Sequence, residues 1–300
     1  MTDVLTPYRG ELLAHCYRML GSVHDAEDLV QETMVRAWRA YDRFEGRSTL
    51  RTWLYRIATT QCLTALESRA RRPLPAGLGG PSETGGQPLD RRDEVPWLEP
   101  LPTGDPAAIV AARESTRLAF VAALQHLPAK QRAVLILRDV LAWRAAEVAE
   151  LLDTSTAAVN SALQRARERL DEIAPTPDDV AEPTDEDKRS LLARYVSAFE
   201  RKDVDEIVAL LAEDAVWEMP PYPTWFRGPE QVARHLTEQC PGGPGDFRFV
   251  PTEANGEPAL GMFLRDEPFC LQVLTIRGAR FSHVISFFDL RLFGTFCLLG

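Results

Sequence analysis

Between Pro73 and Pro106 proline and glycine recur every few residues (Pro75, Gly77, Gly79, Gly80, Pro81, Gly85, Gly86, Pro88, Pro96, Pro100, Pro102), so no continuous helix or central strand can pass through. The chain therefore cannot be built around one core. A second break follows at 173–187, where a run of acids with Pro175, Pro177 and Pro183 and no basic residue reads as a solvated hinge. These breaks divide the 300 residues into segments 1–72, 106–172 and 188–300, with a linker at 73–105. At 45% hydrophobic and 26% charged residues, the chain has the composition of a soluble globular protein. No apolar run approaches the roughly 20 residues needed to cross a bilayer, and MTDVLTPYRGE lacks a signal-peptide pattern, so a cytoplasmic protein is expected. Cys16, Cys62, Cys240, Cys270 and Cys297 are scattered and never form C-x-x-C, which indicates neither a disulfide framework nor a zinc site. His15 beside Cys16 reads as packing, because neighbours on a helix diverge. No cofactor is indicated.

The first segment contains an acidic amphipathic helix followed by a basic one. Asp25, Asp28, Gln31 and Glu32 share one side of a helix, with Val30, Met34, Ala37 and Tyr41 opposite. From Arg36 to Arg72 nine arginines face three acids, a local balance of +6 in a chain of net charge −10. Arginine forks suit phosphate, and Phe44, Trp53 and Tyr55 offer flat faces for unstacked bases. On charge and spacing alone two readings stand: a single-strand platform, or a helix whose Trp53, Leu54 and Ile57 are core and whose arginines are solvated.

DAEDLVQETMVRAW (25–38) and FEGRSTLRTWLYRIATTQ (44–61) resemble the extracytoplasmic-function group of the sigma-70 family, the subunits that direct bacterial RNA polymerase to promoters. The resemblance implies that Asp25, Asp28, Gln31 and Glu32 grip the clamp coiled coil of the polymerase's largest subunit. It implies also that Phe44, Gly46, Arg47, Ser48, Trp53, Arg56 and Thr60 melt the promoter and read the −10 element. The loop Glu45 to Thr49 would hold a flipped base, with Gly46 giving the backbone its freedom. Thr60 stands where the family often has Asn, and a hydroxyl does not reproduce a bidentate amide, so the resemblance leaves the −10 preference open.

After the linker, Asp105 as N-cap and Pro106 in the first turn predict a helix start. A supporting helix at 127–141, a helix at 144–152, a turn DTST and a helix at 157–170 then read as a helix-turn-helix. Asp153 sits where such turns often have Gly, and Asp tolerates a left-handed conformation at some cost. Val159, Leu163, Ala166 and Leu170 mark the buried stripe, leaving Asn160, Ser161, Gln164, Arg165 and Glu168 to face a major groove. LPAKQRAVLILRDVLAWRAAEVAELL with AAVNSALQRARERL resembles the same family's −35-reading domain, which implies −35 contacts from Asn160, Ser161, Gln164 and Arg165, with Arg167 and Arg169 nearer the phosphates. The linker of 33 residues reaches about 110 Å extended, against about 70 Å between promoter elements about 20 base pairs apart. Within it, Trp97 and Leu98 form an apolar pair that is either a docking anchor or a patch folded back on its own domain.

The last segment gives two amphipathic helices, a strand, a third helix and then strands with turns at Gly256, Asp266 and Gly278. This α+β cone resembles the SnoaL-like branch of the nuclear transport factor 2 fold, found as an extra C-terminal domain in some sigma factors of this group. Alternation in RFSHVISFFDL predicts Phe281, His283, Ile285, Phe287 and Asp289 facing into the cone. Trp217, Tyr222, Trp225, His283 and Asp289, with Met219 and Phe226 nearby, would then bound a hydrophobic pocket for a small ligand. His283 and Asp289 read either as an acid-base pair or, with greater weight, as satisfied buried groups.

The expected protein is thus a multidomain sigma factor, with two all-α sigma domains and an α+β cone. Its partners would be core RNA polymerase, at clamp and flap, and promoter DNA, with no membrane or metal; it performs no covalent chemistry, and the cone regulates. Two alternatives remain: a cone that is an isomerase, cyclase or hydrolase with DNA-binding appendages, and a plain repressor or activator, which the acidic helix argues against.

Overall fold

The computed structural model describes residues 2–46, 48–68, 71–83, 89–103, 117–173 and 184–299. They form two compact units that divide the linker between them: residues 1–72 with 98–176, and residues 73–97 with 177–300. The helix start expected at Asp105 and most of the acidic hinge lie outside the described residues.

The first unit is helical. Its elements are α1 (Thr2–Leu5), α2 (Arg9–Leu20), α3 (Val23–Ala40), α4 (Leu50–Glu67), α5 (Leu118–Leu124), α6 (Ala129–Leu135), α7 (Ala145–Leu151) and α8 (Thr156–Ile173). Gly21, at φ 71°, ends α2 in the left-handed conformation, and the next residue, Ser22, caps α3 by accepting from the Asp25 amide at 3.1 Å. Thr49 caps α4 in the same way. After α6 the chain widens into a single π turn over Ile136–Val140.

Two features join the helices before the linker to those after it. The Tyr55 and Trp143 rings lie 5.5 Å apart, both buried. The buried guanidinium of Arg132 donates to the Met19 carbonyl in the last turn of α2, to Gln125 Oε1 at 2.8 Å, and to the Gln125 and Leu127 carbonyls at 3.2 Å. A cation is favoured at that helix end, and burial lowers the Arg132 pKa to about 10. The end of the linker packs here too. The Glu99 amide donates to the Gly21 carbonyl, and the Glu99 carboxylate accepts from Ser22 Oγ at 2.7 Å and pairs with His24 Nδ1 at 2.9 Å. Burial raises the Glu99 pKa, but the hydrogen bonds from His24 and Ser22 outweigh it and the net shift is downward. Leu98 is fully buried, so close to Gly21 that a Cβ there would lie 2.9 Å from it.

The second unit is a sheet against helices. Strands β1 (Leu211–Met219), β2 (Tyr222–Arg227), β3 (Phe247–Ala254), β4 (Glu257–Leu264), β5 (Glu267–Arg277) and β6 (Arg280–Phe287) lie in the order β2-β1-β6-β5-β4-β3, with β1 parallel to β6 and every other pair antiparallel. The hairpins turn at Asn255–Gly256 and Arg265–Asp266, where all four residues have positive φ, the geometry that matches the twist of the strands. One sheet face holds a core of Trp217, Phe226, Met262, Leu274, Phe281 and Val284 against α9 (Asp185–Glu200), α10 (Val204–Ala209) and α11 (Pro229–Glu238). The opposite face is covered near β4 by the C-terminal segment, where Phe293 meets Phe263 at 5.1 Å and Leu298 fills the space over Gly261.

Linker residues 73–83 and 89–97 pack on the cone. The Ala76 amide donates to Glu218 Oε1 at 2.6 Å, Trp225 Nε1 to the Gly79 carbonyl at 2.9 Å, the Ser82 amide to the Trp225 carbonyl, and the Arg92 amide to the Pro221 carbonyl. The Trp97–Leu98 pair is split. Leu98 belongs to the first unit, whereas Trp97 belongs to the second and its indole donates to the Arg92 carbonyl at 2.8 Å.

Candidate functional site

On α3, Asp28, Gln31 and Glu32 are exposed, and Glu32 pairs with Arg36 one turn on. Asp25 stands half-buried beside them, paired with Arg72. The same stripe continues into two apolar side chains that should be inside by composition alone: Val35 is 41% exposed and Trp38 58%. Residues 28, 31, 35 and 38 follow helical spacing, so the acidic patch and the apolar pair form one continuous surface.

The basic segment divides. Phe44 and Trp53 are half-buried, their rings 5.0 Å apart and tilted by 35°, with Arg56 and Thr60 exposed one and two turns beyond Trp53. The Thr60 hydroxyl donates to the Arg56 carbonyl at 2.8 Å. Gly46, at φ 68°, has open space around it; Ser48 Oγ approaches its neighbour Thr49's carbonyl at 3.4 Å; Arg47 and Arg69 lie outside the described residues. Arg39, Arg43 and Arg56 are exposed and carry no ion pair among the described residues, whereas Arg51 is taken by Glu11 at 2.7 Å. Tyr55, expected beside Phe44 and Trp53, is not on this surface. Four residues separate positions on one helix face, so Trp53 and Tyr55, two apart, point in different directions, and Tyr55 enters the core, where burial raises its pKa.

In the helix-turn-helix, Val159, Leu163 and Ala166 are buried as the spacing requires, Leu170 is half-buried, and Asp153 adopts φ 51° in the turn. Asn160, Ser161, Gln164 and Arg165 are exposed on α8. Gln164 Nε2 donates to Glu168 at 2.9 Å and Arg165 Nη1 to Ser161 Oγ at 2.6 Å, ordering side chains that would otherwise lose rotamer entropy on contact. Arg167 is committed to Asp139 through two hydrogen bonds of 2.9 and 2.7 Å.

The cone corrects the expected alternation. Opposite β6, Thr275 pairs with His283 but Ile276 pairs with Phe281, so Ser282 is an extra residue in a bulge. Phe281 faces the core, and beyond the bulge Val284, Ser286 and Phe288 do so, while His283 turns to the other face. There His283 Nε2 pairs with Glu218 Oε2 at 2.6 Å, and the fully buried Glu218 also accepts from Ala76. Asp289 lies past the strand and binds Arg291, not His283. The inner cavity, about 240 Å³, is lined by Trp217 and Tyr222 as expected, and by Phe199, Phe269, Gln272 and Leu89 of the linker. Trp225 is on the outer face with Glu218, its cross-strand partner.

Three families match in succession: Sigma-70 region 2 over residues 4–72, Sigma-70 region 4 over 117–170, and a SnoaL-like domain over 192–291. ECF RNA polymerase sigma factor SigG of Mycobacterium tuberculosis strain H37Rv is 55% identical over 97% of this chain and 82% of its own length. The chain belongs to the ECF sigma factors. SigJ of the same strain is 32% identical over 80% of this chain and 73% of its own. The crystal structure of M. tuberculosis SigJ matches over 98% of this chain and 99% of that one, with TM-score 0.65 and 26% identity. This ECF sigma factor is accordingly a non-enzymatic transcription factor that works with RNA polymerase core and promoter DNA. Among its described residues, no helix is long and apolar enough to cross a membrane.

Sequence reasoning missed three notable side chains of this ECF sigma factor. Val35 and Trp38 were given no role in the sequence reading, although their offset from Asp28 was available as a signal. Glu218, in the strand VWEM, had no signal: its partners come from positions 76 and 283.

Proposed function

We propose that region 2 engages the polymerase clamp through the α3 surface of Asp25, Asp28, Gln31 and Glu32 extended by Val35 and Trp38. Phe44, Trp53, Arg56 and Thr60, with the Gly46–Ser48 loop, take the melted −10 strand. Asn160, Ser161, Gln164 and Arg165 read the −35 groove while the rest of region 4 meets the flap, with Arg167 released from Asp139 to reach phosphate. The observation that carries this reading is that Asp28, Gln31, Glu32, Trp38, Arg56, Thr60, Asn160, Ser161, Gln164 and Arg165 are exposed although regions 2 and 4 are packed together through Tyr55, Trp143 and Arg132. Promoter elements about 70 Å apart require the two regions to separate, so the packed arrangement is the polymerase-free form.

The cone regulates that opening by holding the linker. While residues 73–97 are bonded to the cone through Glu218, Trp225 and Pro221, most of the tether cannot extend. The Glu218–His283 pair is occupied by the linker on the face away from the cavity, which favours a holding role over turnover. The cavity offers a place for a small ligand to bias the hold.

Run-off transcription with bacterial core polymerase tests the assignment. Promoter-specific transcripts are expected, weakened at least tenfold by Trp38→Ala together with loss of co-elution with core, and by Arg56→Ala with co-elution retained. No transcript and no co-elution from the unaltered chain would refute it.

A further inference from the structure

The helical unit contains a basic hollow where the end of region 2 meets region 4. Arg71, just past α4, donates from Nη1 to His126 Nδ1 at 3.1 Å, and Arg169 of α8 donates from Nε to the His126 carbonyl at 3.4 Å. With Arg165, Glu168 and Glu172, also on α8, these residues form the charged lining of a hollow of about 580 Å³. Three guanidinium groups thus stand against two carboxylates, and they are not paired off. Glu168 accepts from Gln164 Nε2 at 2.9 Å, Arg165 donates to Ser161 Oγ, and neither Arg165 nor Arg169 has an ion pair among the described residues. The half-buried His126 ring feels the resulting field: burial lowers its pKa first, Arg71, Arg169 and the buried Arg132 lower it further, and no carboxylate restores it. Cations gathered in this way repel one another, and an anion placed among them turns that cost into attraction.

Shape limits the occupant. A hollow of about 580 Å³ is about 10 Å across if round, narrower than the major groove of a duplex alone, about 12 Å, so it admits a small anion and excludes DNA. Guanidinium forks match phosphate oxygens bidentately. Because Arg71 comes from region 2 and Arg165 and Arg169 from region 4, two linked phosphoryl groups can engage both contributors at once.

We propose that this hollow binds a compact polyphosphate anion of the diphosphate class, gripped by Arg71 of region 2 and by Arg165 and Arg169 of region 4, and that the bound anion fastens the two regions together. Only the consequence for polymerase rests on the reading above that the two regions separate; the binding and the fastening do not.

The test uses the full chain at low salt without magnesium, with diphosphate as probe and monophosphate and sulfate as controls, in titration calorimetry and hydrogen exchange. One diphosphate per chain is expected, with micromolar affinity, and at least tenfold weaker binding of both controls. Arg71 and Arg169 are exposed, so Arg71→Ala and Arg169→Ala should keep the Tm of the free chain while each weakens diphosphate at least fivefold. Glu172→Gln should tighten it, and Arg234→Ala, an exposed arginine of the cone, should change nothing. Bound diphosphate should slow amide exchange in both α4 and α6, and should weaken binding of core polymerase at least threefold, a difference that Arg71→Ala removes. Absence of saturable binding, controls that bind as tightly as diphosphate, or full affinity in either arginine variant overturns the site. Binding that leaves exchange unchanged in both helices overturns the fastening. Diphosphate that binds and slows exchange but leaves the affinity for core unaltered supports this site and counts against the reading that polymerase separates the regions.

Discussion

The helical unit and the cone use polar residues in opposite ways. In α3, α4 and α8 the side chains we propose for recognition stand outside a buried apolar stripe and lose little by waiting in water for a partner. In the cone the chemically distinctive groups, Glu218, His235 and Gln272, are buried, and each depends on a specific neighbour. The difference teaches where each part can be altered without unfolding it: the helical surfaces tolerate change and lose partners, whereas the cone's polar groups carry stability as well as any signal.

The sharpest contrast is at Glu218. Glu218→Leu leaves the His283 ring and the Ala76 amide without their acceptor, and should destabilise the second unit by about 3 kcal/mol, read as a lowered Tm and as faster exchange across residues 76–82. Trp38→Ala in the helical unit should leave stability within about 0.5 kcal/mol while removing core binding; an equal loss of Tm in both variants would erase the distinction.

Acid should act on both units alike. His15 is fully buried beside Thr59 at 2.9 Å and has its pKa lowered to about 3, first by burial and then by Arg18 and Arg51, while burial takes His235 to about 4. Each stays neutral when folded but gains a proton when unfolded below about pH 6.5, so stability is full above that pH and declines as pH falls toward the folded pKa. Urea unfolding at pH 7 and pH 4.5 should show a loss on the order of 2 kcal/mol in each unit. His15→Gln should flatten the decline in the first unit alone.

At the Gly21 corner the helical unit behaves like the cone. Gly21→Ala must hold φ near 71° and push against Leu98 and Gln125; a cost of about 1–2 kcal/mol is expected, measured by thermal melting. The smallest effect is on recognition. Arg165→Ala should reduce transcription from −35-dependent promoters by the equivalent of about 1 kcal/mol with an unchanged Tm, and a uniform loss across −35 sequences would make Arg165 a phosphate contact.

What was legible in the sequence follows the same division. Periodicity identified the faces of α3 and α8, because a 3.6-residue repeat survives wherever a helix does, and Asp153, Asn255–Gly256 and Arg265–Asp266 turned where turn chemistry suggested. It failed at β6, where one bulged residue, Ser282, reversed the alternation and exchanged His283 for Val284 on the inner face. It failed again at the linker: proline and glycine show that residues 73–97 cannot be helix or central strand, yet nothing local says that Ala76 will meet Glu218. Contacts separated by 142 positions leave no local pattern.

The central claim, that the cone holds the linker until polymerase takes the chain, is tested most directly by hydrogen exchange at residues 73–97 with and without core RNA polymerase. The account predicts that the Ala76, Ser82 and Arg92 amides are protected in the free chain and exchange at least tenfold faster in the transcribing complex. Protection that persists unchanged in an active complex would contradict it.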